Sequence, residues 1–350
     1  MKAPLIKCTS ALILVGATIM TGSGGQADDH VAALSAGPHI YSVSADGSEP
    51  RSLNVAGIGL ARGPDRRIAF LQSNRLAVMS DDGSGVRLLA RAEQGSEDPR
   101  APAWSPDGHL IAVGNGRSCD PYADCLGWSV RLIDATTGNL RGAIPSAKEP
   151  SWSPDGREIA FEGGAALGDH HAKAPFSVSV ARPSVKGRRT LARGGFPLWS
   201  ATGKWIAFYS ITGQDLFDGL HVVRPNGRGE RRIANSEAVL AWSPDGKRLA
   251  FIGPFGPTKI SVYSTITAQI RRVGPSDLSH VGGIAWSPDG SKLAWVSYDY
   301  PRDADRLFIA PSSGPGKPRV LVRTRARERI WTPVFSADGK RVLYSLWHLR

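Results

Sequence analysis

The chain alternates short apolar segments with polar turns, and the alternation recurs as one phrase. Tryptophan followed by Ser-Pro-Asp-Gly leads into an apolar strand such as Ile159-Ala160-Phe161. The aromatic position is occupied by Trp104, Trp152, Trp199, Trp242, Trp286 and Phe335. A degraded copy surrounds Pro64-Asp65, where counting back from the next strand puts Ala61 at the aromatic position. Successive positions are 43 to 49 residues apart, which is the period of a propeller blade.

Each copy of the phrase is followed by a second pair of predicted strands with a turn between them. These hairpins lie at 75–89, 129–140, 177–191, 220–233, 260–273 and 307–321. The last phrase, at 333–345, has no hairpin after it, whereas 39–53 reads as a hairpin with no phrase before it. The sequence therefore predicts an all-β, seven-bladed β-propeller whose last blade is closed by N- and C-terminal strands, which removes the open sheet edge.

The repeated phrase has a structural explanation at every position. Tryptophan can bury about 150 to 250 Å² between adjacent blades. In the turn, Pro fixes φ, Asp bonds nearby amides and Gly accepts positive φ. A catalytic role for Ser105 or Asp107 would require the same chemistry in six repeats, whereas repeated units share packing before they share function.

The N-terminus is typical of an export signal. Lys2 and Lys7 precede a short apolar run at 11–20, and small residues precede Asp28. The run is half the length of about 20 residues that a membrane span needs, so an uncleaved anchor is the weaker alternative. We predict a signal peptide at 1–27, a short segment at 28–38 and the propeller at 39–350, with a periplasmic or extracellular location and no transmembrane segment in the mature chain.

Two cysteines, Cys119 and Cys125, remain after removal of the signal peptide. An even pair so close together in an exported chain favours a disulfide. Metal binding by the two thiolates is the weaker alternative, because no histidine lies beside them.

The formal net charge of +12 is spread along the chain rather than gathered in a patch, and arginines recur in pairs on the predicted outermost strands. These pairs are Arg188-Arg189, Arg231-Arg232 and Arg271-Arg272. Charge on an outer strand discourages edge pairing, so we interpret the pairs as protective. A polyanion site along the rim is the alternative, whereas the spread of charge and the export signal argue against a nucleic-acid partner.

The recurrence of Trp-Ser-Pro-Asp-Gly before Ile-Ala-Phe gives residues 39–350 a resemblance to the TolB-like propellers, whose repeats are called PD40 or WD40-like. The resemblance implies the fold, and TolB itself is similar in being a periplasmic propeller that binds partner proteins. TolB carries an α/β domain before six blades, and residues 28–38 are too few to form one. No functional residue is carried over.

Function is expected on the propeller face opposite the repeated turns, because only the loops of that face vary between repeats. Residues just before each aromatic position should line the channel mouth, and two tyrosines lie in the longest late loop. The candidate binding residues are Arg100, Lys148, Glu149, Phe196, His280, Tyr298, Tyr300 and Trp331. Their mixed charges and aromatic rings would suit a peptide or sugar ligand, and a water-filled mouth without a function is the alternative.

The motif search favours a binding scaffold over an enzyme. The chain has no Gly-x-Ser-x-Gly elbow, His-Glu-x-x-His or phosphate-binding loop, and we expect no cofactor. The alternative is a metal-assisted lyase or hydrolase that acts on a polysaccharide or a small ester, with the ion bound by side chains that suit a divalent metal. Its ligands would be Asp169, His170, His171, Asp299, Asp303 and Asp305.

Overall fold

The computed structural model describes residues 37–73, 75–91, 101–115, 128–164, 176–211, 217–236, 240–252, 258–278, 280–299, 302–313 and 316–348. Within these ranges the chain forms antiparallel sheets that make up seven blades of four strands. The predicted all-β, seven-bladed propeller is confirmed, including the blade that combines both ends of the chain.

The strands follow the chain order from the innermost to the outermost strand of each blade. The N-terminal hairpin is β1 (His39–Ser44) and β2 (Arg51–Ala56). Blade 1 is β3 (Ile58–Arg62), β4 (Arg67–Gln72), β5 (Arg75–Ser80) and β6 (Arg87–Arg91). Blade 2 is β7 (Ala103–Trp104), β8 (Leu110–Asn115), β9 (Ser129–Asp134) and β10 (Leu140–Pro145). Blade 3 is β11 (Ala147–Trp152), β12 (Ile159–Gly163), β13 (Ser177–Ala181) and the first half of β14 (Arg189–Trp199).

Strand β14 runs on from the outer edge of blade 3 to the inner edge of blade 4, which joins the two blades into one seven-stranded sheet. Blade 4 continues with β15 (Ile206–Ile211), β16 (Phe217–Val223) and β17 (Arg231–Ala234). Blade 5 is β18 (Leu240–Trp242), β19 (Arg248–Ile252), β20 (Thr258–Ser264) and β21 (Ile270–Leu278). Blade 6 is β22 (His280–Trp286), β23 (Lys292–Asp299), β24 (Ala304–Pro311) and β25 (Arg319–Arg323). Blade 7 is β26 (Glu328–Phe335), β27 (Arg341–His348) and the N-terminal hairpin, in the order β2-β1-β27-β26.

The ring is closed by contacts between blade 7 and blade 1. Strand β26 packs against β3, and the Leu60 amide donates to the Thr332 hydroxyl at 3.2 Å. On the opposite face, the Ala337 amide donates to the buried Asp81 carboxylate at 2.9 Å. Hydrogen bonds therefore join the first and last blades near both ends of their interface.

The hydrophobic core lies between blades. Each buried cluster of the described residues combines side chains from two neighbouring blades, as Phe161 of blade 3 does with Val130 of blade 2. The last junction follows the same rule, because Ile40 of the N-terminal strand packs with Phe70 of blade 1. A single blade would leave both faces of its sheet uncovered, so blades stabilise one another.

The repeated tryptophans connect neighbouring blades through hydrogen bonds as well as packing. The Trp152 indole N–H donates to the Ala103 carbonyl at 3.1 Å, and Trp286 donates in the same way to Ala241 at 2.8 Å. Trp199 differs, since its indole N–H faces the Gly203 carbonyl of its own turn at 3.4 Å.

The turn of each phrase is held by its own Ser and Asp side chains. In blade 2 the Ser105 hydroxyl donates to Asp107 at 2.6 Å and accepts from the Leu110 amide at 2.8 Å. Bonds to the Ser105 hydroxyl and the His109 amide lower the pKa of Asp107. The same hydroxyl-to-carboxylate bond recurs in blades 3, 5, 6 and 7. These side chains are therefore consumed by the turns, as the repetition predicts.

The degraded first copy corrects one predicted position. Arg62, rather than Ala61, lies at the aromatic position, because Arg62 pairs with Ile68 and the Gly63 amide donates to the Arg67 carbonyl at 2.8 Å. The turn of blade 1 is one residue shorter than the others, so counting back from the strand overshoots by one. Burial lowers the pKa of the Arg62 guanidinium.

Arginines add a second set of contacts between blades. The Arg248 guanidinium lies 4.7 Å from the Trp286 ring centroid and donates to the Gly290 carbonyl at 2.9 Å. On the outermost strands, Arg189 donates to the Pro225 carbonyl of blade 4 at 3.0 Å, and Arg271 of blade 5 donates to the Ser312 carbonyl of blade 6. Some of the arginines predicted to protect strand edges therefore also join one blade to the next.

We expect Gly246→Ala to destabilise the protein more than Gly156→Ala. Both glycines have positive φ, at 63° and 69°, so either substitution should cost about 1 to 2 kcal/mol. A Cβ on Gly246 would also lie 2.5 Å from the Thr202 amide of blade 4, whereas one on Gly156 would meet only Pro106 at 3.8 Å. Overpacking should add about 1 to 3 kcal/mol at Gly246, as measured by denaturant unfolding, and equal losses would contradict the close contact between turns.

Deleting residues 28–54 should lower the melting temperature by more than about 10 °C or cause aggregation. The deletion removes buried Ile40 and Val43 and leaves the hydrogen-bonding edge of β27 open. Calorimetry and light scattering of the truncated protein test this. A truncated monomer that melts at the wild-type temperature would show that the ring closes without the N-terminal hairpin.

Candidate functional site

The two faces of the propeller differ as the repeat predicts. The Pro-Asp-Gly turns and the hairpin turns lie on one face, where the amide of Ala45 donates to the Lys340 carbonyl and that of Thr265 to Lys247. We call this the turn face. The connections between second and third strands and between blades lie on the other face, which we call the variable face.

A groove of about 880 Å³ lies on the turn face between blades 6 and 7. Its carboxylates, Asp46, Asp289 and Asp338, each bond to serine hydroxyls or backbone amides of their own turns. These groups are engaged in holding the turns, so the groove offers a ligand few free acidic groups.

The innermost strands carry a bulge near the variable face, three residues before the aromatic position. In blade 1 a glycine, Gly59, occupies the bulge with φ of 65°. In blades 3, 4 and 7 the residues are Glu149, Phe196 and Thr332, with φ of 56°, 56° and 36°. A left-handed backbone costs a non-glycine residue free energy, and such residues cluster at functional sites. Glu149 and Phe196 are among the binding residues that the sequence predicts.

Lys148 is the centre of a cluster on the variable face at blades 3 and 4. Its ammonium lies 2.7 Å from the Glu162 carboxylate. It also lies 5.6 Å from the Trp128 ring centroid and 4.9 Å from that of Phe176, within cation–π range. Phe176 is 44% exposed although it is a large apolar side chain. We name Trp128, Lys148, Glu162, Phe176 and Phe196 the Lys148 cluster.

Glu162 connects the cluster to the next blade. Its carboxylate is buried and accepts a hydrogen bond from the Phe196 amide at 3.2 Å. The Phe196 ring in turn makes an edge contact with Tyr209, with centroids 5.9 Å apart. Lys148 neutralises the buried carboxylate, and this fixes the positions of the lysine and of the Phe196 backbone relative to each other.

A second cluster joins blades 6 and 7 on the variable face. The Tyr298 hydroxyl donates to Asp303 at 2.7 Å, and the Arg329 guanidinium lies 2.5 Å from the same carboxylate. Arg329 also covers the Tyr298 ring at 4.5 Å from its centroid. Tyr298, Asp303 and Arg329 therefore form one packed and hydrogen-bonded unit that joins the β23–β24 connection to β26.

The other two predicted acidic ligands of this region are also engaged. Asp299 accepts from Arg302 at 2.8 Å and lies 3.4 Å from Arg306. Asp305 is only 4% exposed and accepts from the Ile330 amide at 2.6 Å. Burial raises the pKa of Asp305 to about 6. Among the residues that the structure describes, no group of three His, Cys, Asp or Glu side chains is arranged to hold a metal ion.

The structure brings the candidate residues together in two separate groups. Lys148 and Phe196 meet through Glu162, whereas Tyr298 and Asp303 meet through Arg329. Trp331 lies on β26, and His280 on β22 pairs with Tyr298 in the ladder. Seven predicted residues lie outside the described ranges, namely Arg100, Cys119, Cys125, Asp169, His170, His171 and Tyr300.

Several site residues were missed by the sequence analysis. Glu162 directly follows the buried triplet Ile159-Ala160-Phe161, so a charge at the end of an apolar strand was an available signal. Arg329 gave no such signal, because it is one of several arginines in a basic segment. Its role depends on contact with Asp303, 26 positions earlier.

Asp305→Asn should stabilise the protein relative to wild type at pH 7 more than at pH 4. The folded-state pKa of Asp305, about 6, lies above the ordinary value of 3.8, so ionisation opposes folding. The neutral carboxyl of Asp305 stabilises the folded protein fully below about pH 4, and this stabilisation is lost as the pH rises through about 6. The difference in the free energy of unfolding between variant and wild type, measured by denaturant unfolding, should therefore grow by up to about 3 kcal/mol from pH 4 to pH 7.

Asp303→Asn is the control with the opposite sign. Hydrogen bonds from Tyr298 and Arg329 lower the pKa of Asp303, so its loss should destabilise the protein more at pH 7 than at pH 4. If the free energies of unfolding of the two variants, each relative to wild type, changed with pH in the same direction, burial of the Asp305 carboxyl would be contradicted.

No helix among the described residues has the length and apolar character needed to cross a membrane. No family model matches the chain, and a search of curated proteins finds no relative.

Solved structures share the fold at low sequence identity. TolB from Acinetobacter baumannii is 16% identical with a TM-score of 0.51, and the match covers 90% of this chain and 65% of that protein. Oligogalacturonate lyase from Vibrio parahaemolyticus is 13% identical with a TM-score of 0.59, over 89% and 97% of the two chains. The Cps50 (Swd1) propeller domain of Myceliophteria thermophila is 13% identical with a TM-score of 0.57, over 83% and 95%. The chain is thus structurally similar to TolB and to other β-propellers, which include an enzyme, and this similarity establishes the fold.

Proposed function

We propose that the chain is an exported binding scaffold that holds a protein or peptide partner on its variable face. The observation that carries the proposal is the Lys148 cluster, in which an exposed phenylalanine, a half-buried tryptophan and a lysine meet on the variable face. Aromatic side chains are enriched in protein interfaces and are typical anchors there.

The rigidity of the cluster supports the same function. Lys148 and Glu149 lie on an innermost strand, and Lys148 is fixed by the buried Glu162 carboxylate at 2.7 Å. The left-handed conformations of Glu149 and Phe196 cost stability, yet these bulge positions hold large side chains where blade 1 has glycine. A rigid, preorganised surface loses little entropy when it binds a partner.

Export is part of the proposal and depends on the N-terminal sequence. A basic start, a short apolar run and small residues before Asp28 indicate a cleaved signal peptide. The partner would then be a protein or peptide of the cell envelope or of the medium.

Substituting Phe176 and Trp128 by alanine should reduce partner capture by about tenfold or more. The mature protein would be immobilised and exposed to an envelope extract, and retained proteins would be quantified by mass spectrometry. Ile266→Ala is the matched control, because Ile266 is 72% exposed but lies in a hairpin turn on the turn face. Melting temperatures of all proteins check the fold.

Two results would contradict the proposal. The first is equal retention by wild type and the Phe176→Ala, Trp128→Ala variant. The second is a loss caused equally by Ile266→Ala, which would indicate nonspecific adhesion of apolar surface. Phe176→Ala alone serves if the double variant melts early, because the exposed ring can be removed with little loss of packing.

A further inference from the structure

A basic part of the variable face lies at blade 6, where two connections pack together. The Arg327 amide donates to the Asp303 carbonyl at 2.9 Å, and the Thr324 amide donates to the Asp305 carbonyl at 3.0 Å. The β25–β26 turn is thereby fixed onto the β23–β24 connection. We name the exposed side chains of Arg302, Arg323, Arg325 and Arg327 the arginine patch.

The acidic side chains near the arginine patch are buried or already paired with other groups. Asp299 and Asp305 are buried, and Asp303 is bound to Arg329. Glu328 lies 3.2 Å from His348 and accepts the Arg325 amide at 2.8 Å. The carboxylates that could neutralise the patch are therefore committed to other groups, and the exposed layer above them is cationic.

Three guanidiniums of the patch make no direct contact with a carboxylate among the described residues, although Arg327 is near enough to Asp303 to help lower the pKa of that carboxyl. Arg302 donates to Asp299 at 2.8 Å. In contrast, the side chains of Arg323, Arg325 and Arg327 form no hydrogen bond or ion pair with any described residue. Two outer-strand arginines of other blades differ, since Arg141 binds Asp134 and Arg189 binds Glu158. Three neighbouring unpaired cations repel one another and favour an anionic ligand.

The position of the patch favours a peptide as that ligand. Strand β25 is the outermost strand of blade 6, so one row of its backbone N–H and C=O groups is unpaired in the sheet. An extended peptide can bond such an edge, whereas a polysaccharide or lipid cannot complete a β-ladder. None of the large exposed apolar side chains of the described residues belongs to the patch, which argues against insertion into a membrane.

We propose that an acidic, extended peptide segment of a partner protein binds at the edge of β25 and along the β25–β26 turn, with its carboxylates on Arg323 at the end of the strand and on Arg325 and Arg327 of the turn. The inference rests on the proposed binding function and adds the chemistry of the partner. Arginine suits this role because its planar guanidinium matches a carboxylate in a bidentate geometry. The cationic edge repels basic strands and disfavours neutral ones, because pairing would remove water from its charges, whereas an acidic strand supplies the countercharge.

The test uses the mature protein and a labelled ten-residue peptide in which glutamate alternates with threonine. Fluorescence anisotropy should show binding that weakens with salt, and at least about tenfold weaker binding of a glutamine counterpart. The variant Arg323→Gln, Arg325→Gln, Arg327→Gln should lose affinity by a similar factor. The control variant Arg157→Gln, Lys204→Gln, Lys247→Gln removes the same charge from exposed sites of the turn face and should bind like wild type.

Equal loss in both variants would overturn the proposal, because it would indicate attraction to net charge alone. Binding of anionic phospholipid vesicles or of polygalacturonate, but not of the acidic peptide, would overturn it in favour of a membrane or polysaccharide ligand. The outcome is separable from that of the proposed function. Partner capture that depends on Phe176 but not on the patch would leave the binding scaffold standing and remove only this acidic site.

Discussion

The structure depends on one constraint, which is that the apolar faces of a blade are covered only by its two neighbours. Every described core cluster spans two blades, and the one containing Ile40 and Phe70 spans the last blade and the first. A four-stranded sheet with two apolar faces cannot be stable by itself in water. Ring closure is therefore required for burial, and the strand that completes it comes from the N-terminal hairpin.

The repeated phrase provides polar contacts at each of these apolar interfaces. Trp152 and Trp286 bury their rings and donate their indole N–H groups to the preceding blade. Ser and Asp side chains are bound within the turns, as Ser105 and Asp107 are. Groups that hold the turns at one face are engaged within the fold, whereas the connections at the opposite face are free to differ.

On the variable face, buried charge organises the surface above it. Glu162 takes its countercharge from Lys148, which lies among aromatic rings, and Asp303 takes its countercharge from Arg329. A buried or half-buried carboxylate needs a partner, because an unpaired charge in a low-dielectric interior is costly. The ion pairs thus fix the side chains around them, while Arg323, Arg325 and Arg327 are left exposed at the edge of blade 6.

The sequence by itself determined the blade count, the position of closure and the division into two faces. These follow from the local period, since Trp104, Trp152 and their equivalents are followed by the same turn and the same strand. It failed at the first repeat, where a turn shorter by one residue put Arg62 in place of Ala61. Counting by the period assumes that every turn has the same length. A turn that is shorter by one residue therefore shifts which residue aligns with the tryptophan position, although the repeated pattern stays recognisable.

Only the tertiary structure decided which residues of the variable face act together. Lys148 and Glu162 are 14 positions apart, and Asp303 and Arg329 are 26 apart, so neither pairing has a local signal. It also decided that Asp305 is buried and that Arg323, Arg325 and Arg327 form no hydrogen bond or ion pair through their side chains within the described part of the chain, because burial and ion pairing depend on how neighbouring blades pack. Sequence periodicity specifies the repeating scaffold, whereas the departures from it that can bind a partner are defined by contacts between repeats.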